Sequence, residues 1–260
     1  MSRRRSHIVG RLLPLVAVAI LAVTAASAAA PAPSPAPTVD EIVARHIVAR
    51  GGLKKIRSIQ TLRQKGHATA GPNKTGLVTR ELKRPSRTRF EFTVQGVTTV
   101  LLSDGVRGWE VSPFGGDVDP RQLSDEVVSE AAEQADIEGP LVDWKSKGHK
   151  MELSGRETIG GRECYKLTLT LGSGAVLHEY IDASTFYLLR TESTRQVRGR
   201  SVRIETTFGD FKKTHGVLFP RLIEVAAAGR PNRLRVVVDA VELNPPLDDA
   251  RFELPPAPKP

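Results

Sequence analysis

The sequence predicts a mainly β protein: one large, curved antiparallel sheet forming a half-open barrel, with an N-terminal helix and an inserted helical lid. Three observations carry that expectation. From Thr61 onward the apolar period drops from about 3.6 to 2. About ten to twelve stretches of this kind follow one another through short turns, with no strand–helix–strand alternation. The one long interruption is Ser112 to Lys150.

The elements follow in chain order. Arg3, Arg4, Arg5 and Arg11 precede the apolar run Leu12–Val23, and Ala26-Ser27-Ala28 has the small-x-small order that a signal peptidase reads. Residues 1–28 are therefore expected to be a cleaved signal peptide, with an uncleaved inner-membrane anchor as the alternative; the run is short for a membrane span, and Pro14 interrupts it. Residues 29–37 form a Pro/Ala-rich linker. Thr38 and Glu41 make a capping box, after which Val39, Ile42, Val43 and Ile47 form the apolar stripe of a helix that stops at Gly51-Gly52. Leu53 to Ile56 adds a short helical turn.

Phe90, Phe92 and Val94 alternate with Arg89, Glu91 and Thr93, the pattern of a strand with one buried face. Gln95-Gly96 and Asp104-Gly105 are hairpin turns, and Trp109 and Val111 lie on the strand after the second. In the interruption, Ser124 is a good N-cap, Asp125 and Glu126 suit a helix's first turn, and Leu123 and Val128 occupy staple positions. The apolar side of this helix is small: Val127, Val128, Ala131 and Ala135. Leu141, Val142 and Trp144, after Gly139-Pro140, read as a second short helical piece. Strands resume with Tyr165–Leu171, Val176–Asp182, Tyr187–Thr194, Val202–Phe208, Leu218–Val225 and Leu234–Leu243. Residues 38–255 are expected to form a single domain with 112–150 as its lid, and 256–260 a Pro-rich tail.

Charge and composition narrow the function classes. The 38 Lys and Arg against 29 Asp and Glu give +9, which invites a nucleic-acid reading. Four of those charges lie in the leader, which holds no acidic residue, so the exported chain keeps +5. Nucleic acid is not an expected partner; an anionic membrane surface is. The single cysteine, Cys164, excludes an internal disulfide, a multi-cysteine metal site and a lipid anchor after the leader. It sits on a strand face with Lys166 and Thr168, as an incidental residue.

A single sheet with few helices leaves its curved face short of cover, and an interior wider than its own side chains fill suits a large apolar ligand. Three stretches are more specific than this pattern: VDEIVARHIVARGGL at 39–53, GDFKKTHGVLFP at 209–220 and NPPLDDARFELP at 244–255. With PFGG at 113–116 and ADIEGPLVDWKSKGHK at 135–150, they resemble the outer-membrane lipoprotein-sorting protein family, periplasmic carriers of the LolA/LolB kind. The resemblance implies an incomplete barrel of about eleven strands, closed by helices, whose cavity receives acyl chains. It implies a periplasmic, monomeric carrier rather than an enzyme, with an acylated lipoprotein or lipid as cargo. An inner-membrane transporter or an outer-membrane acceptor would be its partner. Those carriers hold their lid with a buried arginine, for which Arg80 and Arg107 are candidates here. The candidate cavity and lid residues are Phe90, Phe92, Val94, Trp109, Phe114, Leu141, Trp144, Tyr165, Leu167 and Leu169.

No catalytic constellation stands out, and no cofactor or metal is expected. His178-Glu179 lacks the second histidine of a zinc helix and lies on a strand, and Gly172-Ser173-Gly174 is a hairpin turn rather than a nucleophile elbow. His46, His67, His149 and His215 are scattered, and Lys145, Lys147, His149 and Lys150 form the densest basic cluster. Two other readings remain open: an envelope-stress or lipid sensor of the same fold, and an envelope enzyme acting on lipid or glycan.

Overall fold

The structure is a computed structural model that describes residues 36–71, 75–113, 119–197, 200–229 and 233–254. The leader, most of the linker, Phe114 with the rest of PFGG beyond Pro113, and the tail lie outside the described residues. Helix α1 (Val39–Ala49) begins at the capping box, with Thr38 N donating to Glu41 Oε2 at 2.7 Å and Glu41 N to Thr38 Oγ1 at 3.3 Å. It ends where Gly51, at φ +119°, turns the chain against the backbone at Gly216-Val217; a side chain there would meet the Gly216 carbonyl. The short α2 (Leu53–Arg57) follows.

One antiparallel sheet then takes up most of the chain. Its strands are β1 (Thr61–Ala70), β2 (Thr75–Lys83), β3 (Arg87–Val94), β4 (Val97–Ser103), β5 (Gly108–Val111), β6 (Arg121–Gln122) and β7 (Lys150–Ile159). They continue with β8 (Arg162–Thr170), β9 (Val176–Asp182), β10 (Leu188–Val197), β11 (Arg200–Thr214), β12 (Val217–Ala227) and β13 (Leu234–Leu243). The spatial order is β6-β5-β4-β3-β2-β1-β13-β12-β11-β10-β9-β8-β7. The sequence expectation of about eleven strands is thus exceeded by two, and two elements explain this. β6 is two residues long and carries no period, and β7 is an edge strand exposed over most of its length, so neither announces itself by alternation.

This order fixes what the lid must do. The chain meanders out to β6 at one edge of the sheet and resumes at β7 on the opposite edge, and the two edges are not paired among the described residues. The connection between them has to cross the open side. It consists of α3 (Asp125–Gln134) and a succession of turns through Gly148, where the sequence suggested a second helical piece. Ser124 occupies the N-cap of α3 without a side-chain cap bond. Leu123 and Val128 do converge: a Cβ on Gly108 of β5 would lie 3.1 Å from each. Bulges in β13 at Asp239, opposite Lys65/Gly66 of β1, in β7 between Leu153 and Gly155 and in β10 between Leu188 and Arg190 add local twist and help the sheet curl.

Candidate functional site

Register defines the concave face. Leu62 and Gln64 of β1 lie opposite Leu82 and Arg80 of β2, and Arg80 and Val78 lie opposite Phe90 and Phe92 of β3. Over this face, between α1 and the lid turns, is a cavity of about 260 Å3. Its floor includes Leu62, Leu82, Phe208, Phe219 and Ile223, and its roof Ile137 and Leu141. His46, Arg50, Gln64, Arg80, Asp136, Glu138 and Glu179 bring polar groups to a wall whose remaining side chains are mostly apolar.

Two arginines hold the roof through its backbone. Arg50, the C-cap of α1, donates to the carbonyls of Glu138 and, at 3.2 Å, of Ile137. Arg80 donates at 2.6 Å to the carbonyl of Gln134, at the end of α3, and at 3.4 Å to Gln64 Oε1. Burial alone draws the Arg80 guanidinium down to about 10, and burial lowers Arg50 against the opposing fields of Asp136, Glu179 and Glu138. The turn they hold is also bound from outside. Arg84 pairs with Glu138 at 3.0 Å, and Lys147 reaches Asp136 at 2.5 Å and the Gly139 carbonyl at 3.0 Å.

Two further polar side chains are almost fully buried. His46 is 4% exposed, and its Nδ1 lies 2.8 Å from the Phe186 carbonyl, to which a neutral ring donates. Burial, assisted by the Arg50 cation, lowers its pKa to about 4. Glu179 is 2% exposed, and its Oε2 has no hydrogen-bond partner among the described residues. Burial pushes its pKa up to about 7 in spite of the Arg50 charge.

The candidate residues separate into groups. Leu141 lines the cavity. Phe90, Phe92 and Val94 lie on the concave face but are only half-buried, beyond the cavity's lining. Tyr165, Leu167 and Leu169 are packed with Ile42, Val43 and Ile181, and so form core beneath α1. Trp144 packs at the edge of that cluster, with the Lys145 ammonium 4.9 Å from its ring centre. Trp109 is on the opposite face: Phe90 pairs with Leu101 and Leu101 with Glu110, which leaves Trp109 beside Leu102. Phe114 lies outside the described residues. Of the two lid arginines suggested by the sequence, Arg80 makes such a bond. Arg107 is largely exposed and sits over the Trp109 ring.

Sequence reasoning missed His46, Arg50 and Glu179, although a signal was present. Ile42, His46 and Arg50 are spaced by four on α1, and Leu177, Glu179 and Ile181 alternate on β9. In each case a polar residue interrupts an inward-facing apolar series. Two members of the basic cluster are paired, Lys145 with Asp40 and Lys147 with Asp136. Cys164 is fully buried beside Tyr180, and burial raises its pKa. Among the described residues no group of three or more His, Cys, Asp or Glu could hold a metal ion, and no helix is long and apolar enough to cross a membrane.

No protein-family model and no curated protein sequence matches the chain. Solved structures do. The chain is similar to a DUF1329 family protein from Desulfovibrio piger ATCC 29098, at 14% identity and a TM-score of 0.56, over 84% of this chain and 98% of that one. It is similar to a LolA superfamily protein from Nitrosomonas europaea, at 16% identity and a TM-score of 0.56, over 84% and 99%. An outer membrane lipoprotein-sorting protein domain from Vibrio parahaemolyticus matches at 12% identity and a TM-score of 0.55, over 83% and 95%. At these identities the likeness is one of fold. The fold is LolA-like, as the sequence resemblance implied.

Proposed function

We propose that the protein is an exported carrier that takes acyl chains of a lipoprotein or lipid under its lid and conveys them towards the outer membrane. The supporting observation is the cavity between the concave face and a lid whose roof is tied by arginine-to-carbonyl hydrogen bonds. Such bonds can be exchanged for water when the lid lifts, whereas a lid sealed by a large apolar face would not release it. α3 buries only Val128 of its ten residues, which fits a lid that must move.

The energetics suit a carrier. Each methylene withdrawn from water is worth about 0.8 kcal/mol, so a chain of roughly sixteen carbons gains on the order of 10 kcal/mol gross. The lid has to move aside for such a chain, because the cavity under the closed lid is small. On this reading the leader exports the protein and the exchange takes place in the periplasm, with residues 38–255 as the carrier domain and 112–150 as its lid. A membrane transporter or acceptor would load or unload it, and the protein binds its cargo without transforming it.

The test is native mass spectrometry of protein purified from its own envelope, together with uptake of a fluorescent fatty acid. Bound lipid or lipoprotein, and saturable uptake, are the expected results. No acyl ligand and no uptake would overturn the reading.

A further inference from the structure

Glu179 lies midway along β9, flanked in register by Leu167 of β8 and Thr191 of β10. It is 2% exposed, it lines the cavity, and its Oε2 accepts no hydrogen bond from any of the described residues. Buried polar atoms are nearly always paired, and an orphan in a cavity wall points to a partner that arrives with a ligand. The polar neighbours in the cavity are otherwise engaged. Arg50 directs its guanidinium to the carbonyls of Ile137 and Glu138, and His46 gives its Nδ1 to the carbonyl of Phe186.

The surrounding charges say what kind of donor would fit. A ligand ammonium would meet the Arg50 and Arg80 cations, while the wall's other carboxylates, Asp136 and Glu138, are already paired with Lys147 and Arg84, and a ligand carboxylate would meet Glu179 itself. A neutral hydroxyl meets neither objection. A plain alkyl chain supplies no donor and would cover the carboxyl without satisfying it.

We propose that Glu179 is a ligand-binding residue that accepts a hydrogen bond from a hydroxyl carried on an aliphatic chain, so that the cavity selects hydroxylated acyl chains over plain ones. This rests on the carrier reading and adds a chemical class to its cargo. A site built to pair with a hydroxyl discriminates against the analogue that lacks it.

The experiment uses the full chain, delipidated and loaded with a fluorescent fatty acid. The displacers are octadecanoate and two hydroxylated counterparts, one with the hydroxyl near the carboxyl end and one with it at mid-chain. At least one hydroxylated chain is expected to bind about tenfold more tightly than octadecanoate. Glu179→Leu should remove the preference and strengthen binding of the plain chain. Glu179→Gln, whose amide oxygen still accepts, should keep part of it and serves as the control for folding. An equal ratio in the wild type and Glu179→Leu, or no wild-type preference, overturns the proposal while leaving the carrier intact. Failure of the wild type to take up any of these chains overturns the carrier reading and the subsite with it.

Discussion

The two halves of the concave face have similar apolar side chains and different fates. Over β8 and β9, Leu167, Leu169 and Ile181 are fully buried beneath Ile42 and Val43 of α1. Over β3, Phe90, Phe92 and Val94 are half-buried, and α3, the helix of the lid that touches β3 and β4, contributes one buried valine. A capped, eleven-residue helix with a strong stripe fills one half; a helix faced with alanine only shades the other. Apolar alternation therefore locates the inner face of such a sheet, while the covering helix decides whether that face is core or binding surface.

The largest effect should come from confronting the halves directly. Leu167→Ala removes a fully buried side chain and should cost about 3 kcal/mol in urea denaturation, as core truncations commonly do. Phe92→Ala, from a half-exposed site, should cost less than about 1.5 kcal/mol in spite of its larger side chain. Uptake of a fluorescent fatty acid should reverse the order, falling severalfold in Phe92→Ala. Equal stability costs would break the distinction between core and surface.

Where the filled half borders the cavity, its wall carries two buried titrating groups of opposite sign. His46 has its pKa lowered from 6.5 to about 4, so the unfolded chain binds the proton first, and stability is lost as pH falls through that window. Glu179 is raised from 4.5 to about 7, so the folded chain holds the proton longer, and stability is lost as pH rises through that window. Each effect is on the order of 3 kcal/mol when fully developed. They oppose one another between 4.5 and 6.5 and should leave the wild-type contribution of this pair nearly flat there. Thermal unfolding of Glu179→Gln should show stability rising with pH across that window, and His46→Gln should show it falling. Parallel slopes in the two variants would sink the assignment.

The lid follows the same division. Its turn at residues 135–142 packs Ala135, Ile137, Leu141 and Val142 firmly, while α3 is lightly held. Arg50→Met strands two carbonyls of the turn and should cost about 1–3 kcal/mol. Arg80→Met frees only the end of α3 and should cost less. Hydrogen exchange should separate them: Arg50→Met speeds amides at 136–139, and Arg80→Met those at the end of α3. Wild-type protection in α3 equal to that of the turn would remove the idea of a lid hinged at one side.

Much of this was legible in the sequence, and the part that was not has a physical reason. Period and turn residues locate the inner face of β3 through Phe90 and Phe92, and the capping box fixes the start of α1. Periodicity says nothing about coverage, so Tyr165, Leu167 and Leu169 read as cavity lining when they are core. It also fails in short elements. Trp109 stands on a four-residue strand, too brief for an alternation to assign its face, and register with β4 places it outward. Arg50 and Glu179 were passed over because a charged residue in an apolar series is ordinarily a surface residue. What makes these two different is a pairing across 87 residues of chain and a cavity wall, neither of which is local.

The smallest effect tests the face of that tryptophan. The chain has two tryptophans, Trp109 beside Leu102 on the outer face and Trp144 in the lid turns against the α1 cluster. An acyl chain entering beneath the lid disturbs packing around Trp144 and has no contact with the outer face. Trp109→Phe, which leaves Trp144 as the reporter, should keep wild-type uptake and retain the shift in tryptophan emission on adding a fatty acid. Trp144→Phe should lose the shift, because indole emission follows its local polarity and that of Trp109 is unchanged by the ligand. A shift that survives in Trp144→Phe and vanishes in Trp109→Phe would put the ligand on the convex side. The half-buried phenylalanines of β3 would then need another explanation.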